Sequence, residues 1–320
     1  MSKTGQLKPI GWKPALTVLG INLVRGGNQV ALKFALSALP PFWTAFGRMS
    51  FGALAVGAWA ALRGIPLTPR RREWPALLSL GMIFAVQIAL MHFGADYTSP
   101  AYATVLMNTN PIFANLLAHY VVPGDRLSWS RVSGLAVAFA DICGIFLGRP
   151  ASRLAPNPII GNLLLLVSAS LVGARTVYIQ RVVQRIEPEK TAFWQMVISL
   201  PFFLAGTLFD DPGSREPLGW IPIAAIMYQG IIVGGVGFTV WAHLLRHHSP
   251  GALTMFTFTV PVFGVALSAW LFSEAVTPRL ILGVAAVVSG ILIATRLSHP
   301  RLGAQPLGLA GDPAVTEPED

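Results

Sequence analysis

The sequence has little charge and almost no cysteine. Charged residues make up 12% of the 320 residues, whereas a soluble domain contains roughly 25%. The one cysteine, Cys143, excludes a disulfide within the chain and a cysteine metal cluster. The sequence also contains no H-E-x-x-H or G-x-S-x-G motif and no pair of aspartates inside an apolar segment. We therefore predict that the protein is not an enzyme and holds no metal or cofactor.

Apolar segments fill most of the chain instead. Hydrophobic residues make up 53%, and the mean hydropathy is +0.60. A membrane-spanning helix needs about 20 mostly apolar residues, and ten segments meet this requirement closely enough to be predicted as spans of an integral membrane protein. In chain order they are Pro14–Leu36, Pro41–Leu62, Trp74–Ala95, Ser99–Val121, Val132–Leu147, Ile159–Val182, Thr191–Phe209, Trp220–Leu244, Gly251–Leu271 and Leu280–Thr295.

The basic residues lie mainly in the short segments between these spans. The net charge is +9, but its dispersal over many connections argues against a groove for nucleic acid. If the N-terminus is cytoplasmic, fifteen Lys and Arg residues of the connections lie on that side and five on the other. Cytoplasmic loops of membrane proteins carry such an excess. We predict that both termini face the cytoplasm, in the inner membrane, and that no nucleic acid binds.

The second half of the sequence repeats the first. Ser99 and Pro111 recur as Ser249 and Pro261 at a shift of 150, and Asp125 recurs as Glu274 at a shift of 149. Each half has five spans, so the second half enters the membrane in the opposite orientation, as in many secondary transporters. The predicted divisions are a cytoplasmic segment 1–13, repeats 14–150 and 151–297, and a disordered cytoplasmic tail 298–320.

These repeated motifs resemble the EamA repeat of the drug/metabolite transporter superfamily. Segment 25–33, R-G-G-N-Q-V-A-L-K, is similar to the W-G-x-N-F-x-x-x-K stretch of that family, and Arg48 lies where its members often have arginine. Segment 274–283 matches the E-x-x-T…G pattern. The sequence departs from the family at Arg25, where an aromatic residue is usual, and at Asp141, whose repeat partner is Gly290.

The resemblance implies an all-α integral membrane protein with ten transmembrane helices in two inverted five-helix repeats. It also implies a substrate cavity at the middle of the bilayer, lined by spans 1, 3, 4, 6, 8 and 9. Members of the family export amino acids, other metabolites or drugs, and some import their substrates.

Arginines inside the spans are the main candidates for substrate binding. Arg25 lies near the centre of the first span and shares a helical face with Asn28. A shift of 147 aligns Asn28 with Arg175, and Arg48 with Gln195. A charge at membrane depth costs at least ~2.5–3.5 kcal/mol, so it normally faces protein or a water-filled cavity. We predict that Arg25, Asn28 and Arg175 form a cationic site for a substrate carboxylate or another anion, since the geometry of a carboxylate matches a guanidinium group.

The alternative is that these arginines only hold helices together by binding backbone carbonyls or Asp141, the one acid well inside a predicted span. Asp141 is interpreted as a structural ion pair or as a proton-coupling site. Arg48 either snorkels or caps a helix end, or has a function. Pro111 and Pro261 are predicted as hinges, with static kinks as the alternative.

Other polar and aromatic side chains within the spans are weaker candidates for substrate contact. They could equally form hydrogen bonds between helices, worth about 0.6 kcal/mol each, or anchor the protein at the membrane interface. The glycine-rich run from Gly230 to Gly237 is predicted to let helices approach closely. The substrate-contact candidates are Gln87, Asn108, Tyr178, Gln229 and Trp241.

Together these features predict a secondary transporter, and more specifically an exporter. The expected substrate is an amino acid or a related carboxylate-bearing compound, moved across the inner membrane by alternating access. Efflux of drugs or cationic compounds by the same fold is the first alternative, and a membrane-embedded enzyme is the second. The expected partners are the small-molecule substrate and the lipid bilayer, with the protein a monomer or a weak homodimer.

Overall fold

The structure is a computed structural model that describes residues 12–121, 154–211, 215–247, 259–278, 280–282, 284–285 and 289. The elements within these residues are helices. In chain order they are α1 (Trp12–Gly26), α2 (Asn28–Ala38), α3 (Pro41–Leu62), α4 (Trp74–Tyr97), α5 (Pro100–Met107), α6 (Asn110–Val121), α7 (Pro158–Val182), α8 (Pro188–Gly206) with a short 3₁₀ turn (Thr207–Phe209), α9 (Trp220–Met227), a π-helical segment (Tyr228–Gly237), α10 (Phe238–His247) and α11 (Thr259–Phe272).

Five of these stretches are long and apolar enough to cross a membrane. They are Pro41–Leu62, Trp74–Tyr97, Pro158–Val182, Pro188–Phe209 and Trp220–Leu244, and they confirm predicted spans 2, 3, 6, 7 and 8. Large apolar side chains such as Leu208 and Phe209 are exposed, as expected of a surface that contacts lipid. The fifth span, most of the tenth, both tails and Asp141 lie outside the described residues.

Proline marks the start of many helices. Pro41, Pro100, Pro158 and Pro188 are the first residues of α3, α5, α7 and α8. Proline suits this position because its missing N–H is not needed in the first turn and its φ angle is already helical. Ser99 also caps α5 by accepting a hydrogen bond from the Tyr102 backbone N–H, which satisfies one of the unpaired donors at the helix start.

The first span is broken at Gly27, between α1 and α2. The break leaves the Val24 carbonyl without a helical partner, and the Tyr228 hydroxyl donates to it at 2.6 Å. A Cβ atom on Gly27 would lie 2.9 Å from that hydroxyl oxygen, so a larger residue would displace the donor. A freed backbone group at membrane depth needs such a partner.

The fourth span is broken between α5 and α6, immediately before Pro111. Proline has no N–H to donate to the carbonyl four residues earlier, which here belongs to Met107. The Asn110 Nδ2 group donates to that carbonyl at 2.8 Å, and the Asn108 Nδ2 group donates to the Thr104 carbonyl at 2.7 Å. The polar run around Pro111 therefore satisfies the backbone at the interruption.

The eighth span is continuous but changes its winding. Between α9 and α10 it forms the π segment, Tyr228–Gly237, and π turns of this kind occur often at functional sites. Two glycines of this segment, Gly230 and Gly235, pack directly on α3. A Cβ atom on Gly230 would lie 2.6 Å from the Arg48 carbonyl oxygen and 2.7 Å from the Phe51 Cβ, which confirms the close approach predicted from the glycine run.

The two halves of the sequence share one core. Helix α4 packs against α7 and α8, and α3 packs against α8 and the π segment. Helix α11, from the second half, packs against α1 and α5 from the first. The fully buried side chains at these contacts include Met49, Phe84, Leu106, Leu165 and Met196. The packing of the halves against each other places their irregular segments around a common centre.

One end of the bundle, which we call the Lys33 end, is held by polar contacts. The Lys33 Nζ atom donates to the carbonyls of Ala95, Asp96 and Thr98 at 2.9–3.0 Å, so it neutralises the C-terminus of α4. Arg215 forms an ion pair with Asp96 at 3.1 Å. These contacts connect the end of the first span, the end of α4 and the loop before α9.

The loop after α8 is also attached at this end. Asp210 accepts hydrogen bonds from the backbone N–H groups of Phe42 and Trp43 at 3.2 and 3.1 Å, at the first turn of α3. Partial burial raises the pKa of the Asp210 carboxyl group, and the two backbone hydrogen bonds oppose that shift. A carboxylate at a helix N-terminus is favourable because unpaired N–H groups and the helix dipole point at it.

The contact between Gly230 and α3 gives a first prediction. Gly230→Ala should lower the melting temperature of the detergent-solubilised protein by a few degrees, because overpacking typically costs about 1–3 kcal/mol. Gly20→Ala is the control, since no atom lies within 4 Å of a Cβ built there and alanine favours a helix over glycine. A Gly230→Ala variant that melts at or above the Gly20→Ala variant would contradict this packing.

Candidate functional site

A cavity of about 200 Å³ lies at the middle of the bundle, where the irregular segments meet. Residues from the first, second, third, fourth, sixth, seventh, eighth and ninth spans line it. Spans 2 and 7 therefore contribute in addition to the six that the resemblance implies. The polar and charged members of the lining are Arg25, Asn28, Gln29, Arg48, Gln87, Thr104, Asn108, Asn110, Arg175, Thr176, Thr191 and Gln195.

Two of the three arginines in this lining are held in the same way. Arg48 Nη1 donates to the Gln229 Oε1 atom at 3.3 Å, and Arg175 Nη1 donates to the Gln195 Oε1 atom at 2.9 Å. The Nε atom of each arginine is buried and has no hydrogen-bond partner among the described residues. Each glutamine thus fixes one corner of a guanidinium group and leaves the Nε donor for another acceptor.

Aromatic rings lie against the guanidinium groups of Arg25 and Arg175. The Arg25 Cζ atom lies 4.3 Å from the centre of the Trp241 ring. The Arg175 Cζ atom lies 4.6 Å from the Phe84 ring centre and 5.5 Å from the Phe238 ring centre. Such stacking stabilises a cation by about 0.5–2 kcal/mol and restricts its orientation without occupying its hydrogen-bond donors.

The same lining offers two unused acceptors. The Asn28 Oδ1 and Gln29 Oε1 atoms are buried and have no hydrogen-bond partner among the described residues. Both side chains follow the break at Gly27, so the interruption of the first span presents them at membrane depth. The described part of the cavity therefore combines unpaired guanidinium donors with neutral amide acceptors.

The structure brings together most of the residues predicted from sequence. Arg25, Asn28, Gln87, Asn108, Arg175 and Trp241 all line the cavity. Gln87 and Asn108 also have structural contacts: the Gln87 Nε2 group donates to the Ser168 hydroxyl at 3.1 Å, and the Asn108 amide donates to backbone as described above. Their side-chain donors are therefore already engaged.

Two predicted contacts lie elsewhere. The Tyr178 hydroxyl is hydrogen-bonded to the Ser79 hydroxyl at 2.8 Å, and Tyr178 packs in a separate apolar cluster with Leu77 and Val182. Gln229 is fully buried behind Arg48 and orients it. Tyr178 and Gln229 do not belong to the described lining of the cavity, and substrate contact by either residue stays a prediction.

The two predicted hinges differ in what surrounds them. Pro111 lies at the α5–α6 break and lines the cavity. Pro261 is the third residue of α11, and the residues that precede α11 in the ninth span, 251–258, lie outside the described residues. An interruption of the helix beside Pro111 is therefore observed, and its role as a hinge remains a prediction.

The lining also contains residues that were not among the predicted site residues, and Gln29, Arg48 and Gln195 are three of them. Arg48 was expected near a helix end, yet it is 2% exposed. The sequence left the environment of Arg48 open, because an arginine near the end of a membrane helix can extend its side chain to the membrane surface. The repeat alignment that pairs Arg48 with Gln195 was the signal that could have identified both residues.

The cavity extends from the middle of the bundle toward the opposite end, where α7 ends and α8 begins. Ile179, Pro188 and Thr191 belong to its lining at that end. At the Lys33 end Glu274 is buried, with 7% of its surface exposed. Glu274 follows Ser273, whose φ angle of 50° turns the chain after α11. Glu274 is not part of the cavity lining, which continues toward the α7–α8 end.

Glu274 connects the two halves of the sequence. It accepts hydrogen bonds from the Ser99 hydroxyl and from the Ala101 backbone N–H at the start of α5. It also accepts from the Ser268 hydroxyl at 2.6 Å. A carboxylate bound to the N-terminus of a helix is stabilised by the unpaired N–H groups there.

A second pocket, a groove of about 660 Å³, lies on the side of the bundle, between α3 and the end of the eighth span. Its lining is mostly apolar and includes Trp59 and Val236, which are 45% and 53% exposed. The His243 Nε2 atom lies 2.6 Å from the Glu189 Oε1 atom at one edge. The exposed apolar lining identifies a surface that faces lipid.

Comparison with known proteins agrees with this architecture. Residues 12–147 and 159–296 each match the EamA-like transporter family. The chain therefore belongs to the EamA-like transporter family, and it is a membrane transporter rather than an enzyme. The two matched segments correspond to the two halves of the sequence, so the fold consists of two EamA repeats.

Several curated proteins are similar over most of their length. An uncharacterized transporter, YoaV, of Bacillus subtilis is 19% identical, with 88% of this chain and 97% of that protein covered. A probable amino-acid metabolite efflux pump of Escherichia coli is 23% identical, with 88% and 94% covered. A probable terminal-alkyne amino-acid exporter of Streptantibioticus cattleyicolor is 22% identical, with 83% and 88% covered.

A solved crystal structure shares the fold. It is 21% identical to this chain, covers 89% of this chain and 98% of its own, and superposes with a TM-score of 0.67. This similarity supports the helical architecture and carries no information about the substrate.

The contacts of Glu274 give the second prediction. Glu274→Gln should make the backbone amides of residues 99–104 exchange with solvent roughly tenfold faster, because hydrogen bonds to a charged group are worth about 1.5–3 kcal/mol. Hydrogen exchange followed by mass spectrometry measures this directly. Glu216→Gln is the control, since Glu216 lies at the same end on the exposed hydroxyl of Ser37. Equal exchange in both variants would show that Glu274 does not hold this end closed.

Proposed function

We propose that this protein is an exporter that moves a small carboxylate-bearing metabolite, an amino acid or a related compound, across the inner membrane by alternating access. The observation that carries the proposal is that Arg48 and Arg175, at membrane depth, have buried Nε donors with no hydrogen-bond partner among the described residues. An unpaired charged donor is costly at this depth, so the arrangement is favourable when an anionic group completes it. A guanidinium group binds carboxylate oxygens in a bidentate manner.

The relatives support the same substrate class. Two of them bear names that refer to amino-acid metabolites or amino acids and to efflux or export. Export of drugs or cationic compounds is the alternative within the same fold. Three guanidinium groups around the described cavity argue against it, because like charges repel across a medium of low dielectric constant.

The asymmetry of the cavity supports alternating access. Polar contacts hold the bundle together at the Lys33 end, while the cavity lining continues to the α7–α8 end. We infer that ten spans form two inverted halves, 14–150 and 151–297, flanked by the segments 1–13 and 298–320, with Pro111 and Pro261 as hinges. Movement of one half against the other would then expose the central site to each side in turn. The protein would work in the lipid bilayer as a monomer or a weak homodimer.

The orientation of the chain gives the third prediction. With ten spans and both termini cytoplasmic, green fluorescent protein fused after residue 320 should fluoresce in bacteria, and alkaline phosphatase fused there should be inactive. The α7–α8 connection should be cytoplasmic, so cysteine at Arg185 should react with a membrane-impermeant reagent only after the cells are opened. Active phosphatase at the C-terminus would overturn this orientation.

The fourth prediction concerns Arg175. Arg175→Lys keeps the charge but loses the planar donor edge, so carboxylate flux into proteoliposomes should fall about tenfold. Arg175→Ala should cost more, roughly 10- to 100-fold, because a hydrogen bond to a charged group is worth about 1.5–3 kcal/mol. Substrates whose carboxylate is esterified should compete poorly in the wild type. Initial rates and competition assays with labelled solutes measure these effects.

Arg185→Ala is the matched control, because Arg185 is an exposed arginine that follows the same helix. Its flux should remain within about twofold of the wild type, since an exposed charge in high dielectric contributes little. An Arg175→Ala variant that transports at the wild-type rate would remove Arg175 from the site. No flux of any carboxylate in a broad panel would remove the proposed function itself.

A further inference from the structure

We propose that the cavity selects organic anions of net negative charge over zwitterions, so that an α-hydroxy acid is a better substrate than the α-amino acid of the same shape. The proposal rests on the proposed function, because it concerns the substrate class of the same site. The two proposals make different predictions. A site that binds only the carboxylate would transport the α-hydroxy acid and the α-amino acid equally well, whereas a site that selects net negative charge would prefer the α-hydroxy acid.

The first step is the charge balance of the described lining. Arg25, Arg48 and Arg175 line the cavity, and its described residues include no Asp or Glu. The buried carboxylates among the described residues, Glu189 and Glu274, have other partners, since Glu189 binds His243 in the lateral groove and Glu274 caps α5. Three cations therefore face a small volume without a described counter-charge.

The second step is the character of the available acceptors. Asn28 Oδ1 and Gln29 Oε1 are buried acceptors without a described partner, but an amide oxygen is neutral. Each can accept a hydrogen bond from an N–H or O–H group, and neither compensates a full positive charge. A hydroxyl group satisfies these atoms, and an ammonium group satisfies them only while remaining among three guanidinium groups.

The third step is the size of the site. A cavity of about 200 Å³ holds a small metabolite. The ammonium and carboxylate groups of an α-amino acid are attached to the same carbon atom, so both groups lie near the arginines. Its ammonium group must lose water and then meets cations rather than an anion. Burial of a charge without a partner of opposite sign is strongly unfavourable. The arginines therefore favour binding of the carboxylate group and disfavour binding of the ammonium group.

Isosteric solutes test this directly. L-Leucine and L-2-hydroxy-4-methylpentanoate differ only in ammonium against hydroxyl, and flux of each into proteoliposomes at pH 7.5 can be corrected with protein-free vesicles. We expect the wild type to transport the hydroxy acid with a kcat/KM at least tenfold higher. Thermal stabilisation of the detergent-solubilised protein by each compound provides a second reading that does not depend on flux.

Charge-introducing variants sharpen the test. Asn28→Asp and Gln29→Glu each add one carboxylate to the cavity with little change in shape, so each should shift the preference toward leucine by roughly tenfold. Asn157→Asp is the matched control, because Asn157 is an exposed helix cap outside the cavity and aspartate caps a helix equally well. Its preference should equal that of the wild type.

The outcomes separate this inference from the proposed function. Equal transport of both compounds, or a preference for leucine, would overturn net-charge selection while leaving carboxylate transport intact. A preference that neither Asn28→Asp nor Gln29→Glu alters would overturn it as well. Absence of both flux and thermal stabilisation with every carboxylate tried would overturn the proposed function and this inference together.

Discussion

The cost of holding a guanidinium group away from water governs the centre of this protein. Arg48 and Arg175 are nearly buried, and each is held by one glutamine and by neighbouring structure rather than by a described carboxylate. An arginine oriented in this way is prepared for an anion, because the side-chain entropy of ordering it is lost before binding. The site combines a fixed donor geometry with a positive charge that no acidic residue of the described lining balances.

Breaks in the helices supply the remaining polarity at the same depth. The interruption at Gly27 and the one before Pro111 both free backbone carbonyls, and the chain satisfies them locally with Tyr228 and Asn110. Irregular backbone is tolerated inside a membrane only where protein or a water-filled cavity surrounds it. The breaks therefore lie at the centre of the bundle, where protein and the cavity surround them. The arginines line the same cavity, because a charge at this depth also needs protein or water around it.

The membrane spans and the repeat could be predicted from the sequence, because both patterns extend over many residues. Five spans were recognisable from hydropathy, and the repeat aligned Asn28 with Arg175 over 147 residues. Contacts between helices that are distant in the sequence were harder to predict. Gln195 and Gln229 are 34 positions apart and bind different arginines. No local sequence pattern indicates which glutamine contacts which arginine. Tyr178 contacts Ser79 of α4 rather than the cavity lining, and helical spacing alone cannot tell these two faces apart.

The π segment has a consequence for how this chain is compared with its relatives. A π turn closes five residues apart instead of four, so it contains one residue more than an α turn. Phe238 and Trp241, which contact Arg175 and Arg25, follow directly after this extra winding. In a relative whose eighth span is regular α-helix, equal residue counts would match these aromatic rings to side chains on another face. A one-residue gap within Tyr228–Gly237 would then be the structurally correct alignment.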